Sequence, residues 1–180
     1  MVTTSNTERK LIALSDSHGN TRNLTKLFEM HLDADAFIHL GDGAYEFSRL
    51  CRQFGVIGYS VLGNCDSRFI CSDAQNPYAV AHFANYRFFM THGHLYGVKS
   101  GRENLIANAK KVLPDVDFVL YGHTHIPENR YIPVENEGEK PLYLINPGSI
   151  SHPRQSSTPT YALILIKDKN IITNIAELNI

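Results

Sequence analysis

"KLIALSDSHGN", Lys10–Asn20, is the stretch that decides the fold. Leu11–Leu14 is an apolar run that gives way at once to Ser, Asp, Ser, His and Gly. Such a run, closed by polar residues and glycine, reads as a buried strand entering a loop. Beyond it, Leu24, Leu27, Phe28 and His31 or Leu32 recur at helical spacing, with Asn20 or Thr21 as the cap. The unit then repeats. "DAFIHLGDG", Asp35–Gly43, is a second strand and loop, and "AYEFSRLCRQF", Ala44–Phe54, is a second helix that Gly55 would end. "GYSVLGNCD", Gly58–Asp66, is a third strand and loop. This βαβαβ order implies a parallel sheet with right-handed crossovers.

The later half has a different texture. "YAVAHFANYRFFMTHGH", Tyr78–His94, reads as two strands about a turn at Asn85. "SGRENLIANAKKVLPD", Ser100–Asp115, reads as a helix with Ser100 as its cap and Pro114 near its end. "FVLYGHTH", Phe118–His125, is another buried strand. "NRYIPV" and "PLYLINPG" flank the polar loop "ENEGEK", a hairpin signal. "TYALILIKDKNIITNIAEL", Thr160–Leu178, closes with a hairpin about Asp168–Asn170. The expected fold is α/β, with two sheets face to face and helices outside. Residues 1–180 form one expected domain, without repeats or linkers.

Bulk properties exclude several function classes. The chain has 180 residues and a formal net charge of -1, which argues against gripping long nucleic acid through overall charge. Lys99, Arg102, Lys110 and Lys111 read as a solvated helix face, because no aromatic residues interleave them. No apolar run reaches membrane-spanning length, and the polar N-terminus lacks a signal-peptide core. Cys51, Cys65 and Cys71 contain no metal-type CxxC pair, so free thiols in a reducing cytoplasm are expected. Apolar strand edges in the later half leave room for a homo-oligomer.

Five strand endings carry metal-friendly residues: Asp16 and His18; Asp42 between two glycines; Asn64, Cys65 and Asp66; His92 and His94; His123 and His125. Ligands in open α/β sheets bind beyond the carboxyl ends of strands. On an extended chain, residues two apart share a face, so Asp16 with His18, and His123 with His125, would point together. Singly, Asp16 or Asp42 would pass for a helix cap and Asn64 for a turn residue, and Asp66 reads as a turn residue or helix cap. Together they would repel or protonate without a counter-charge, which a divalent cation supplies. Seven or more candidate ligands exceed what one four-coordinate ion needs. Two ions sharing a carboxylate, about 3.5–4 Å apart, would use them. His31, His39, His82 and His152 read as structural or surface groups, His39 as a hydrogen-bonded core imidazole.

"DSH", "GDG", "GNCD", "THGH", "GHTH" and "NPGS" occur in the order found in calcineurin-like metallophosphoesterases. The match runs from Asp16 to Arg154 and most resembles the small single-domain YfcE-type phosphodiesterases. The resemblance implies a four-layer α/β/β/α sandwich of two facing mixed sheets. It also implies a binuclear centre, often filled by manganese, with nickel, iron or zinc as alternatives. It assigns Asp16, His18 and His125 to one ion, Asn64, His92 and His123 to the other, and Asp42 as the bridge. It implies hydrolysis of a small phosphodiester by a hydroxide held between the ions, in a cytoplasmic enzyme.

One departure concerns the proton for the leaving group. Many members of the superfamily have histidine where this chain has Cys65, so water or His94 is expected to serve, and good leaving groups should react best. Arg154, in "NPGSISHPR", is a candidate to receive a phosphate oxygen, and Asn64 is a candidate substrate contact as well as a ligand. Competing readings are a retromer-like scaffold without activity, a nuclease and a phosphomonoesterase.

Overall fold

The computed structural model describes residues 8–67, 77–134, 140–155 and 158–179. The first half follows the expected alternation. Strand β1 (Arg9–Leu14), helix α1 (Thr21–Met30), strand β2 (Ala36–His39), helix α2 (Ala44–Phe54) and strand β3 (Gly58–Ser60) come in that order. Strands β1, β2 and β3 pair in parallel. Asn20 caps α1, accepting a bond from Asn23 N at 3.1 Å, and Gly55 ends α2 at φ +66°. Helix α1 stops at Met30, so Leu32 lies off its apolar face and is 59% exposed.

The later half holds β4 (Tyr78–Phe83), β5 (Tyr86–Thr91), α3 (Glu103–Val112), β6 (Phe118–Leu120), β7 (Pro127–Ile132) and β8 (Leu142–Pro147). The chain ends in β9 (Thr160–Lys167) and β10 (Asn170–Glu177). The β4–β5, β7–β8 and β9–β10 hairpins are antiparallel, as the turn signals imply. Most of the "ENEGEK" loop lies outside the described residues, as does Cys71. The hairpins hide a second parallel core, because β5, β6 and β8 pair in parallel. Ser100 does not cap α3. Its N–H bonds Gly97 O in the turn after a short 3₁₀ segment, His94–Tyr96, and the helix starts later with Arg102 at the cap position.

The two five-stranded sheets run β10-β9-β1-β2-β3 and β4-β5-β6-β8-β7. The two-residue alternation of a strand sorts its side chains into layers. Leu11 and Ala13 of β1 pack between the sheets with Ile38, Phe88, Phe118, Leu120 and Ile164. Ile12 and Leu14 face the other way, onto Leu24, Leu27, Phe28, Phe47 and Leu50. On the far side, Phe89, Val119 and Leu144 cover Leu105 and Ala109 of α3. The result is the expected α/β/β/α sandwich. Burying each such large apolar side chain contributes roughly 1.5–3 kcal/mol. Phe88, Phe118 and Tyr143 are register partners on β5, β6 and β8 and stack at 4.2 and 4.8 Å, which fixes the parallel register.

Candidate metal centre

The parallel strands β1, β2 and β3 of one sheet, and β5, β6 and β8 of the other, all deliver their carboxyl ends to one place. The candidate ligands do not lie on the strands themselves. Strand β1 stops at Leu14 and β6 at Leu120. Asp16, His18, Asp42, His123 and His125 all adopt left-handed backbone, with φ from 45° to 68°. Convergence therefore comes from tight reversals after each strand, not from two-residue alternation along an extended chain. Such backbone costs of order 1–3 kcal/mol per residue and persists only where surroundings enforce it. Here Asp16 N bonds Gly41 O, His18 N bonds Asp42 O, and Gly122 N bonds His92 O.

Close packing leaves no room for a side chain at Gly63 or Gly122. A Cβ on Gly63 would lie 2.0 Å from Asp42 Oδ1, and one on Gly122 would lie 2.0 Å from Ser15 Oγ. The Asp42 loop is held by Asp66. Its carboxylate accepts bonds from the N–H groups of Asp42, Gly43, Ala44 and Gly63, at 2.7–3.0 Å. Asp66 thus caps α2 from 22 residues downstream, and Asp42 is left free to face the site.

The "NPGS" loop backs the centre from the other sheet. Asn146 Nδ2 donates to Gly122 O and Thr124 Oγ1, both at 3.0 Å. Ser149 and Ser151 hydroxyls both donate to Asp16 O, at 2.8 and 2.9 Å. The single residue between His123 and His125 is therefore a buried anchor for the turn.

Hydrogen-bond direction fixes the chemistry at the middle. His92 Nδ1 sits 2.7 Å from Leu40 O, and His125 Nδ1 sits 2.7 Å from His152 O. A carbonyl can only accept, so both Nδ1 atoms carry the hydrogen and both Nε2 lone pairs face inward in the neutral rings. His92 Nε2 then faces Asn64 Oδ1 at 3.2 Å, His123 Nδ1 at 3.2 Å and Asp42 Oδ2 at 3.5 Å. His125 Nε2 faces Asp16 Oδ1 at 3.1 Å and His18 Nε2 at 3.4 Å. Asp42 Oδ2 stands 3.8 Å from His18 Nε2, so this one oxygen lies between two imidazoles. Asp16 Oδ1 is sealed from solvent and makes no well-formed hydrogen bond, while its Oδ2 takes His123 N at 3.0 Å.

Lone pairs and anionic oxygens this close repel unless a proton or a cation lies between them. The donor set of carboxylates, imidazoles and one amide oxygen suits a divalent ion. The ligating atoms of Asp16, His18 and His125 lie within 4.8 Å of one another, and so do those of Asp16, Asp42 and His92.

The electrostatics agree. Burial pushes Asp42 upward, but His92 and the Cys65 amide outweigh it and hold its carboxyl well below the usual range. Asp16 is likewise pulled down by His125 and His92 against burial. Burial would lower His92, yet Asp42 and Asp16 raise it. Burial and the neighbouring His92 push His123 down to about 4. Cys65 moves up to about 11, through burial and then Asp42, so its thiol keeps its proton at neutral pH.

His94 starts the 3₁₀ segment, with its ring 5.3 Å from that of His92 and 6.1 Å from that of His123. Arg154 lines an open pocket of about 590 Å³ with His18, His125, His152 and Pro153. His39 is the expected core imidazole. Ser17 Oγ lies 3.0 Å from its Nε2, and Gly41 N donates to its Nδ1. The sequence reading left open which helix Asp66 caps, and it took His152 for a structural or surface group where the structure makes it a wall of the pocket. Their places within "GNCD" and "NPGSISHPR" were the signal available.

Other proteins resemble this chain to different degrees. A family model described as the calcineurin-like phosphoesterase superfamily domain matches residues 10–169. A probable metallophosphoesterase of Bacillus subtilis, YsnB, is 29% identical over 160 residues, covering 88% of this chain and 85% of its own. Phosphodiesterase YfcE of Escherichia coli K12 is 28% identical, covering 93% of this chain and 97% of its own. The crystal structure of a phosphoesterase-like protein of Streptococcus pneumoniae superposes with a TM-score of 0.75 at 26% identity, covering 94% and 90%.

Proposed function

Because the chain belongs to the calcineurin-like phosphoesterase superfamily, we propose that it hydrolyses small phosphodiesters at a two-metal centre. The ligand assignment is Asp16, His18 and His125 for one ion and Asn64, His92 and His123 for the other, with Asp42 shared. The observation that carries this reading is the crowd of inward-facing acceptors around Asp16 and Asp42, which only positive charge can reconcile. Manganese is the ion assigned, and iron, nickel and zinc suit the same donors. Bound there, two divalent ions neutralise phosphate oxygens and lower the pKa of water.

The chain's own residues do the rest. Leu40 O and His152 O fix the tautomers of His92 and His125 so that Nε2 is available. Asp16 and Asp42 stay ionised through their depressed pKa values. In this reading Asn64 touches substrate as well as metal, and Arg154, which lines the open pocket, receives a phosphate oxygen. Cys65, with its raised pKa, is a poor proton donor. His94 or water delivers the proton instead, so esters of acidic alcohols react fastest. The name of the Escherichia coli relative supports a diester as the substrate.

Elemental analysis of the purified protein, joined to assays on bis-p-nitrophenyl phosphate and a panel of cyclic and linear diesters, tests this. Two ions per chain and turnover with manganese are expected. Bound metal without turnover under any of the four ions would make the protein a scaffold of the retromer type. Cleavage of single-stranded DNA in preference to small diesters would make it a nuclease.

A further inference from the structure

The pocket beside the centre has a composition that the ligand set does not account for. Its floor is His18 and His125, and its wall is His152, Pro153 and Arg154. The His152 ring stands edge-on to His18, with centroids 5.3 Å apart and planes at 85°. Ser151 gives its one hydroxyl hydrogen to Asp16 O, so at 2.7 Å it accepts from His152 Nδ1. That bond fixes the ring in place. Support of the centre passes through the backbone of residue 152, whose carbonyl takes the His125 Nδ1 hydrogen and whose N–H bonds Ser149 Oγ. The imidazole is exposed and touches that support as a donor to Ser151 Oγ, whose own bond to Asp16 O does not depend on the ring.

Imidazole and guanidinium are planar π groups, and the proline ring offers a compact C–H face to an aromatic partner. Among the described residues, the lining includes no carboxylate and no branched aliphatic side chain. Such a wall complements a planar ring by stacking and edge contact, and it fits an alkyl chain poorly. A phosphodiester carries two ester substituents that diverge from phosphorus. A phosphate held at the ions would lie beside this pocket, whose floor is His18 and His125, so one of them can enter it.

We propose that His152, with Pro153, forms a subsite for a planar aromatic substituent of the substrate, making His152 a specificity-determining residue. The inference rests on the phosphodiesterase reading for its substrate, and its test is separable from that reading. Manganese-loaded wild type and His152→Ala are titrated with phenylphosphonate and with methylphosphonate, which are not hydrolysed. Wild type is expected to bind the phenyl probe about five-fold more tightly than the methyl probe. His152→Ala should abolish the preference without changing bound metal, and His152→Phe should restore it.

In turnover, His152→Ala should raise KM for bis-p-nitrophenyl phosphate about five-fold. It should leave KM for methyl p-nitrophenyl phosphate and both kcat values within about two-fold. Equal affinities for the two phosphonates in wild type, or a preference that survives His152→Ala, overturns the subsite. Absence of turnover on every diester, with the phosphonate preference intact, overturns the phosphodiesterase reading alone.

Discussion

Asp42 and Cys65 are neighbours with opposite roles at the residue scale. Cys65 N donates to Asp42 Oδ1 at 2.8 Å, and the thiol adds a weaker bond, so the backbone of residue 65 does most to steady the Asp42 carboxylate. Asp42→Asn is expected to lower kcat/KM about 100-fold or more and to reduce bound metal, since an amide cannot serve two cations as a carboxylate does. Cys65→Ala keeps the backbone donor and should cost less than about three-fold. Steady-state kinetics on bis-p-nitrophenyl phosphate separates the two, and equal losses would make the thiol essential.

His39 offers a second residue-scale test. Burial lowers its pKa to about 4 in the fold, against about 6.5 unfolded. Between those values the unfolded chain binds more protons, so stability falls as pH drops from about 6.5 to 4, by up to about 3 kcal/mol. Urea unfolding of metal-stripped protein at pH 7.5 and 5 should show this loss. His39→Gln, which keeps one donor and one acceptor, should shrink it. An unchanged pH dependence in the variant would remove His39 from the account.

At the scale of elements, helix α2 has no cap of its own. Gly43 sits at its N-cap position at φ +135°, and Asp66 reaches back to take the orphan N–H groups. The same carboxylate holds the Asp42 and Gly63 amides, so one side chain ties the end of β2 to the loop after β3. Asp66→Ala should destabilise the protein by about 1–3 kcal/mol in urea unfolding. It should also weaken metal binding, because Asp42 loses its mooring. A stability loss with unchanged metal affinity would restrict Asp66 to capping. Sequence reading recognised Asp66 only as a turn or cap residue and could not say of which helix, because the partner lies 22 residues upstream.

At the scale of the molecule, the centre lies where the two sheets meet. Asp16, His18, Asp42 and Asn64 come from one sheet, and His92, His123 and His125 from the other. Bound cations would therefore link the two halves of the sandwich. Manganese at 100 times its dissociation constant should add about 2.7 kcal/mol, or about 5–11 °C in Tm for a chain of this size. Thermal melts with manganese and with chelator check this. A Tm unmoved by manganese would mean that the folded chain holds no manganese at this site. No helix among the described residues is long and apolar enough to cross a membrane.

Local periodicity determined most of the elements. Apolar runs closed by glycine marked the buried strands, helical spacing marked the three helices, and turn residues marked the hairpins. The motif order determined which side chains to look for. What the tertiary structure decided depends on contacts distant in the chain. The pairing of β5, β6 and β8 in parallel, the reach of Asp66 to α2, and the place of His152 beside His18 join residues 22 to 134 positions apart. The left-handed turns belong here too. Asp16 and His125 alone would not choose φ near 60°, and only the packed ends of six parallel strands make that conformation the one that satisfies their backbone.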